Sequence, residues 1–367
     1  MEIVPCSPAH REAVEQFNAK LAAAGSVWSF PVDGNTTEDP SLTGHERFVA
    51  VENGDVYGGY LLKRQQCFLD GESIEIGSLQ LPLSLGDVDS EFGRVSVALL
   101  FDAIRRTPYV YSLGLGSEET KFARLLAAAG WPHLSVPFYF SPKSPNRFAR
   151  NIRLPAGHTG TQALLRAAGY LRVTRPAFAL QQLRVRRRAS NRPGPAVDVR
   201  EIASFDERAD GLFLACVDRY SFVCDRGFAA LSREYPAGEP RFVRVVVERG
   251  GELVGWVVLL DTQMADDKYF GDLRVGSIVD CFAAPEDALT VLRAADEMLT
   301  QRGVDLVVSN QLHADWYRAL EALGYRRGPS NFFFYYSDRL AERLQPTEGW
   351  PERCHLNRGD GEGPGHL

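Results

Sequence analysis

The chain has 367 residues, 45% apolar and 24% charged, which is enough for two ordinary globular domains. Its net charge of −6 leaves neither half basic enough to form a nucleic-acid groove by charge alone. Apolar runs such as 254–260 are strand-sized and far from the roughly 20 residues that cross a bilayer, and the first six residues lack the basic-then-apolar order of a secretory signal, so a soluble cytoplasmic protein is expected.

Two stretches of the chain match in order, and the match starts with an early helical part that carries Trp28-Ser29-Phe30 in one copy and Tyr220-Ser221-Phe222 in the other. A hairpin with a glycine turn follows at 46–62, and again at 240–258. Glu75-Ile76-Gly77-Ser78-Leu79 and Arg274-Val275-Gly276-Ser277-Ile278 then share a Gly-Ser pair at the head of a short apolar strand. Apolar residues at three- and four-residue spacing predict helices over 93–106 and 286–302. Buried strands are expected at 109–115 and 304–309, each leading into a second helix. Those helices end at Gly130-Trp131 and Gly324-Tyr325, where the glycine reads as a C-cap. Aromatic strands, 136–142 and 331–337, close the two copies.

The offset between copies stays near 195 residues throughout, which marks a tandem repeat. An N-terminal domain over 1–182 and a C-terminal domain over 197–344 are expected, each a twisted mixed α/β sheet flanked by helices. The arginine- and proline-rich stretch 183–196 reads as a solvated linker. Gly- and Pro-rich residues 345–367 read as a tail too poor in apolar residues to fix itself. Six cysteines stand singly, without CxxC pairs, and seven histidines show no HxxxH or HExxH spacing. Reduced thiols and no metal are therefore expected.

The element order and the glycine-aromatic helix ends resemble the GNAT superfamily of N-acetyltransferases, in tandem over nearly the whole chain. The resemblance implies a sheet splayed between its fourth and fifth strands, and a bacterial acyltransferase that takes acetyl-CoA or another acyl-CoA and acylates a small-molecule amine. It also implies a pyrophosphate loop at the N-terminus of the helix after the fourth strand, where free backbone N–H groups receive an anion. The matching positions, Glu91 to Ser96, keep the small character expected only at Ser96. Gly86, Gly93 and Arg94 partly restore the site, and Val95 with Leu79, Leu81 and Leu83 of the preceding strand completes the expected donor-binding set. Asp87, Asp89 and Glu91 oppose it by like-charge repulsion. In the second copy, Pro285, Glu286 and Asp287 already occupy the helix start. The family's general-acid tyrosine, four residues before the helix-ending glycine, corresponds to Leu126 and Leu320. Trp316 and Tyr317 lie one turn earlier and read as packing residues.

Amine acylation needs a base to take the proton of the ammonium. Glu75, on the fourth strand of the first copy, is a candidate for this role and equally reads as a solvent-facing strand residue. Asp280, inside the apolar run 276–283, needs either a partner or a role. Asn310, just past the fifth strand of the second copy, is placed to hold an acceptor or to start a helix. Two other readings stay open: transfer from aminoacyl-tRNA on the same fold, which the degenerate loops favour, and a non-catalytic binding or scaffold protein. No membrane partner is expected.

Overall fold

The computed structural model describes residues 1–32, 44–153, 159–170, 196–345 and 348–361. The first copy runs through strands β1 (Glu2–Pro5), β2 (His45–Glu52), β3 (Asp55–Leu69), β4 (Glu72–Ser84), β5 (Val110–Leu115), β6 (His133–Ser135) and β7 (Phe138–Pro142). The second runs through β8 (Asp198–Ile202), β9 (Phe222–Cys224), β10 (Val243–Arg249), β11 (Glu252–Gln263), β12 (Arg274–Ala283), β13 (Leu306–Asn310), β14 (Arg326–Gly328) and β15 (Phe332–Tyr336). Helices Arg11–Ala23, Gly93–Arg106 and Lys121–Ala128 punctuate the first set, and Arg208–Cys216, Ala288–Gln301 and Ala314–Ala322 the second. This is the mixed α/β architecture that the repeat implied, and the helix expected at 93–106 is present over those residues.

Chain order and sheet order part company at the last strands. One sheet has the order β1-β2-β3-β4-β5-β15-β6, with β9 paired to β3; the other has β14-β7-β13-β12-β11-β10-β8. The aromatic strand β7 therefore leaves its own copy to pair with β13, through Leu306↔Pro142 to Asn310↔Phe138. In exchange β15 pairs with β5, through Phe332↔Leu115 to Tyr336↔Tyr111. The two compact units follow this exchange: Met1–Ser135 with Ser221–Asp225 and Ser330–Trp350, and Val136–Tyr220 with Arg226–Pro329 and Pro351–Leu367. The boundary expected near residue 182 thus gives way to a crossover at 135–136. Positions 183–195 of the expected linker lie outside the described residues.

The shared Gly-Ser pair has a packing cause. A Cβ built on Gly77 would stand 2.5 Å from Thr107 Cγ2, and one on Gly276 2.8 Å from Leu299 Cδ2. In each unit the absent side chain lets the following helix close onto the strand, while Ser78 and Ser277 are buried on the opposite face. The first unit's core on the helix side gathers Tyr60, Leu62, Leu79, Val95, Leu99, Leu126 and Trp131, and the other face packs Val14, Phe17 and Leu21 on Val49 and Leu61.

The tail expected to stay without fixed structure is ordered over much of its length. Trp350–Arg353 is helical, and Cys354 to Gly361 are buried. Trp350, Cys354 and Leu356 are buried, His355 packs on Tyr220, Phe282 and Trp316, and polar groups hold Asn357 and Asp360, which a count of apolar residues does not register. No helix among the described residues is long and apolar enough to cross a membrane.

Candidate functional site

In the first unit β4 and β5 are paired at only two rungs, Gly77↔Val110 and Ser78↔Tyr111. Beyond them the strands separate. β5 is held by β15 along its whole length, whereas β4 follows β3 through a register shift opposite Gly59 and Leu61. The shift is a bulge that bends β4 away from its neighbour. Each arm of the resulting wedge carries a leucine in the left-handed region, Leu81 at φ 45° and Leu115 at φ 65°. A bulky residue pays for that conformation in local strain, and such strain concentrates at functional sites.

The half-buried Phe92, Leu115 and Phe122 pack against the helix-side core. On one side the helix Gly93–Arg106 opens with no side chain capping it; Gly93 and Arg94 are exposed, and Ser96 is half-buried. On the other side Lys121 opens the helix Lys121–Ala128 and reaches across, its Nζ donating to the carbonyl oxygens of Asp87 at 2.7 Å and Gly86 at 3.3 Å. The acidic loop is less hostile to an anion than its composition implies. Asp87 accepts from the Ser84 N–H at 3.1 Å and Asp89 from the Glu91 N–H at 3.0 Å, so two of the three carboxylates turn back to cap their own turns. Burial pushes the Asp87 carboxyl up, against the pull of the Ser84 N–H and of Lys121.

The expected donor set divides. Leu79, Leu83 and Val95 point into the core, and Gly86 is locked in its turn, where a Cβ would meet Phe92 O at 2.7 Å. Leu81 and Ser96 are half-buried and Gly93 and Arg94 are exposed, with Arg94 Nη2 3.9 Å from Glu52 Oε2.

On the opposite face of this sheet a polar row crosses four strands at the last rung before the wedge. His45 on β2 faces Lys63 on β3, Lys63 faces Ser78 on β4, and Ser78 faces Tyr111 on β5. Gln80 extends it, its Oε1 accepting from His45 Nε2 at 3.0 Å and its Nε2 donating to Ser78 Oγ at 3.1 Å. Lys63, Ser78, Gln80 and Tyr111 are buried and His45 is half-buried. Alternation along β4 had set Ser78 and Gln80 on one face; His45 and Lys63 carry no local signal and join them only through strand register.

Glu75 stands elsewhere. It precedes the two rungs, on the closed side of the wedge, exposed and paired with Arg64 Nη1 at 3.2 Å. That position takes it out of reach of the opening.

The second unit parts in the same way, with β12 and β13 parallel from Val275↔Leu306 to Ile278↔Ser309 and β12 running on to Ala283. Its wedge is filled by the chain's own tail. His355 Nε2 lies 2.9 Å from Cys281 O on β12, Leu312 N–H donates to Leu356 O at 3.0 Å, and Gln311 bridges Asn357 just past β13. Asn357 Nδ2 donates to Asp280 Oδ1 at 2.8 Å. Asp280 also accepts from Tyr235 Oη at 2.9 Å, Arg226 Nη2 at 3.2 Å and the Cys281 N–H at 2.9 Å. Arg226 in turn holds Asp360 at 2.7 Å. The partner that Asp280 required is therefore a buried ionic network. Asn310 is fully buried, its Nδ2 3.5 Å from Val136 O.

Leu126 and Leu320 are fully buried core residues. Trp316 is buried and donates to Tyr220 Oη at 3.1 Å. Tyr317 instead stacks on Tyr139 and, with Pro137, Leu312, Arg327, Pro351 and Glu352, lines a cavity of about 210 Å³ in the second unit. The early aromatics Phe30, Tyr220 and Phe222 are core residues, while Trp28 is exposed.

No known protein family matches the sequence, and no curated protein matches it either. The fold is matched. Saccharomyces cerevisiae N-myristoyltransferase with bound myristoyl-CoA superposes with a TM-score of 0.55 at 13% identity, over 91% of this chain and 82% of that one. A conserved Enterococcus faecalis V583 protein of unknown function, given as a probable N-acyltransferase, has a TM-score of 0.55 at 9% identity, over 94% and 74%. A GCN5-related N-acetyltransferase from Anabaena variabilis has 0.52 at 10%, over 91% and 72%. The fold is GNAT-like, in tandem.

Proposed function

We propose that the chain is an N-acyltransferase that binds an acyl-CoA in the wedge of its first unit and transfers the acyl group to the amine of a small metabolite, such as an amino sugar or an amino-acid-like compound. The observation that carries this reading is the contrast between the two wedges: the first has strained leucines on both arms and an uncapped helix at its mouth, and the second is filled by residues 354–360. One donor site per chain follows. Arg94 and Lys121 flank the mouth and supply cations for the donor phosphates, and the half-buried Phe92, Leu115 and Phe122 take the apolar part of the thioester.

The polar row seats the acceptor. Ser78, Gln80 and Tyr111 offer hydroxyl and amide groups to hold it, and the His45 imidazole is the general base for the ammonium. The amine, once neutral, attacks the thioester carbonyl; the C–N bond forms, the C–S bond breaks, and the sulfur leaves as thiolate. With leucine at 126 there is no phenol to protonate it, and a thiol with a pKa of about 8.5 leaves tolerably well without one. Rate then rests on holding amine and thioester together.

The test is calorimetric titration with acetyl-CoA and, because the yeast neighbour holds myristoyl-CoA, with medium- and long-chain acyl-CoAs, followed by thiol release against a panel of amines. One donor per chain is expected, weakened at least tenfold by Lys121→Glu and by Arg94→Glu, with thiol release lost in His45→Gln while donor binding stays. Binding of no acyl-CoA, or of two per chain, overturns the reading.

A further inference from the structure

We propose that Cys67 and Cys224 form a redox-active pair that closes to a disulfide and pins β9 to β3. They face each other across the antiparallel ladder of the first unit, between Phe68↔Val223 and the strand end. The Asp225 N–H donates to Gln66 O at 2.9 Å and the Asp70 N–H to Ser221 O at 3.1 Å, which fixes the phase of the ladder. Residues 66/225 and 70/221 are therefore hydrogen-bonded pairs, and 67/224 is a non-hydrogen-bonded pair, the kind in which opposed side chains stand closest. Their Sγ atoms are 3.0 Å apart, inside the contact distance of two unbonded sulfurs. Strand pairing alone thus holds the two residues within the Cα and Cβ separations that a disulfide requires.

Both thiols are buried, so an oxidant reaches them through local opening. β9 has three residues and, among the described strands, pairs with β3 alone, so few ladder bonds oppose its opening. With a low-molecular-weight disulfide as oxidant, the thiolate of one cysteine attacks it and releases one thiol, leaving a mixed disulfide. The second cysteine, deprotonated in turn, attacks the protein sulfur of that mixed disulfide and releases the other thiol. Two protein thiols lose two protons and two electrons, and the oxidant is reduced to two thiols. The new bond would tie positions 157 apart in sequence, and Gln65 Nε2, which donates to both Cys224 Sγ at 3.2 Å and Tyr111 Oη at 2.5 Å, places it one side chain from the polar row.

The experiment uses the purified full chain, equilibrated with oxidised glutathione or with dithiothreitol in low urea so that β9 can open. Free thiols are then counted after denaturation, and cysteine peptides are mapped by mass spectrometry without reduction. The count should fall from six to four, with a Cys67–Cys224 peptide, a raised thermal midpoint and full reversal by dithiothreitol. Six thiols remaining after oxidation would overturn the proposal, as would a mapped bridge between other cysteines. Cys67→Ala and Cys224→Ala should each give no cysteine–cysteine bridge in the unreduced peptide map after the same treatment, the remaining partner carrying at most one glutathione; a protein disulfide in either variant also overturns it.

Discussion

Asp280 separates a structural role from a catalytic one, and its replacement gives two distinct numbers. In the native chain its carboxylate accepts from Arg226, Tyr235, Asn357 and the Cys281 N–H, all within 3.2 Å and all buried. Asp280→Ala removes the acceptor and leaves those donors behind. Arg226 keeps Asp360 at 2.7 Å, so its charge is not abandoned altogether. Breaking a buried pair from one side costs about 3–5 kcal/mol. Asp280→Asn keeps the shape: one amide oxygen can still face Arg226 and Asn357, and the Tyr235 hydroxyl can turn to accept from the amide. Only the charge is lost, at roughly 1.5–3 kcal/mol. Urea unfolding of both variants measures these costs directly. Acyl transfer per folded molecule should stay within about threefold of wild type in Asp280→Asn, whereas a general base contributes roughly 100- to 10,000-fold. Unchanged stability in Asp280→Ala, or a hundredfold loss of turnover in a stable Asp280→Asn, would refute the structural assignment.

Two further outcomes follow from the same geometry. Burial holds the His313 imidazole down to about 4 from 6.5, with Asp315 opposing the shift and Arg353 and Arg318 adding to it, and the buried His355 is held down in the same direction. A base with a depressed folded-state pKa contributes stability that is complete above 6.5 and is lost as pH falls towards 4, so His313 alone should cost about 3 kcal/mol across that window at about 1.4 kcal/mol per pH unit. Unfolding midpoints measured from pH 7 to pH 4 should fall accordingly, and His313→Asn, which keeps an oxygen to accept the Asp315 N–H at the helix start, should flatten the fall. Glu75→Gln removes one exposed ion pair, and Arg64 retains Glu46; stability should move by no more than about 0.5 kcal/mol and acyl transfer should not change, so a large loss of turnover would restore Glu75 as the base.

What the sequence by itself determined is the content of each repeat. The hairpins, the helix at 93–106 and the glycine helix ends are dictated over a few neighbouring residues, by alternation, helical spacing and the freedom of glycine at φ 84° and 85° in Gly130 and Gly324, whereas the Gly-Ser pairs lie inside β4 and β12 rather than at their heads. The leucines at 126 and 320 likewise announced the missing phenol without any structure. What the tertiary structure decided is which sheet each piece joins. β7 and β15 have the same aromatic, alternating character whether they pair within their own copy or with the other, because edge hydrogen bonds are indifferent to the origin of the strand. The polar row was invisible for the same reason: His45, Lys63, Ser78 and Tyr111 are distant in sequence, and only register brings them to one rung. Residues 354–360 read as loose because apolar content is a local measure of burial, whereas Asn357 and Asp360 are buried against Asp280 and Arg226 once the wedge between β12 and β13 exists to receive them.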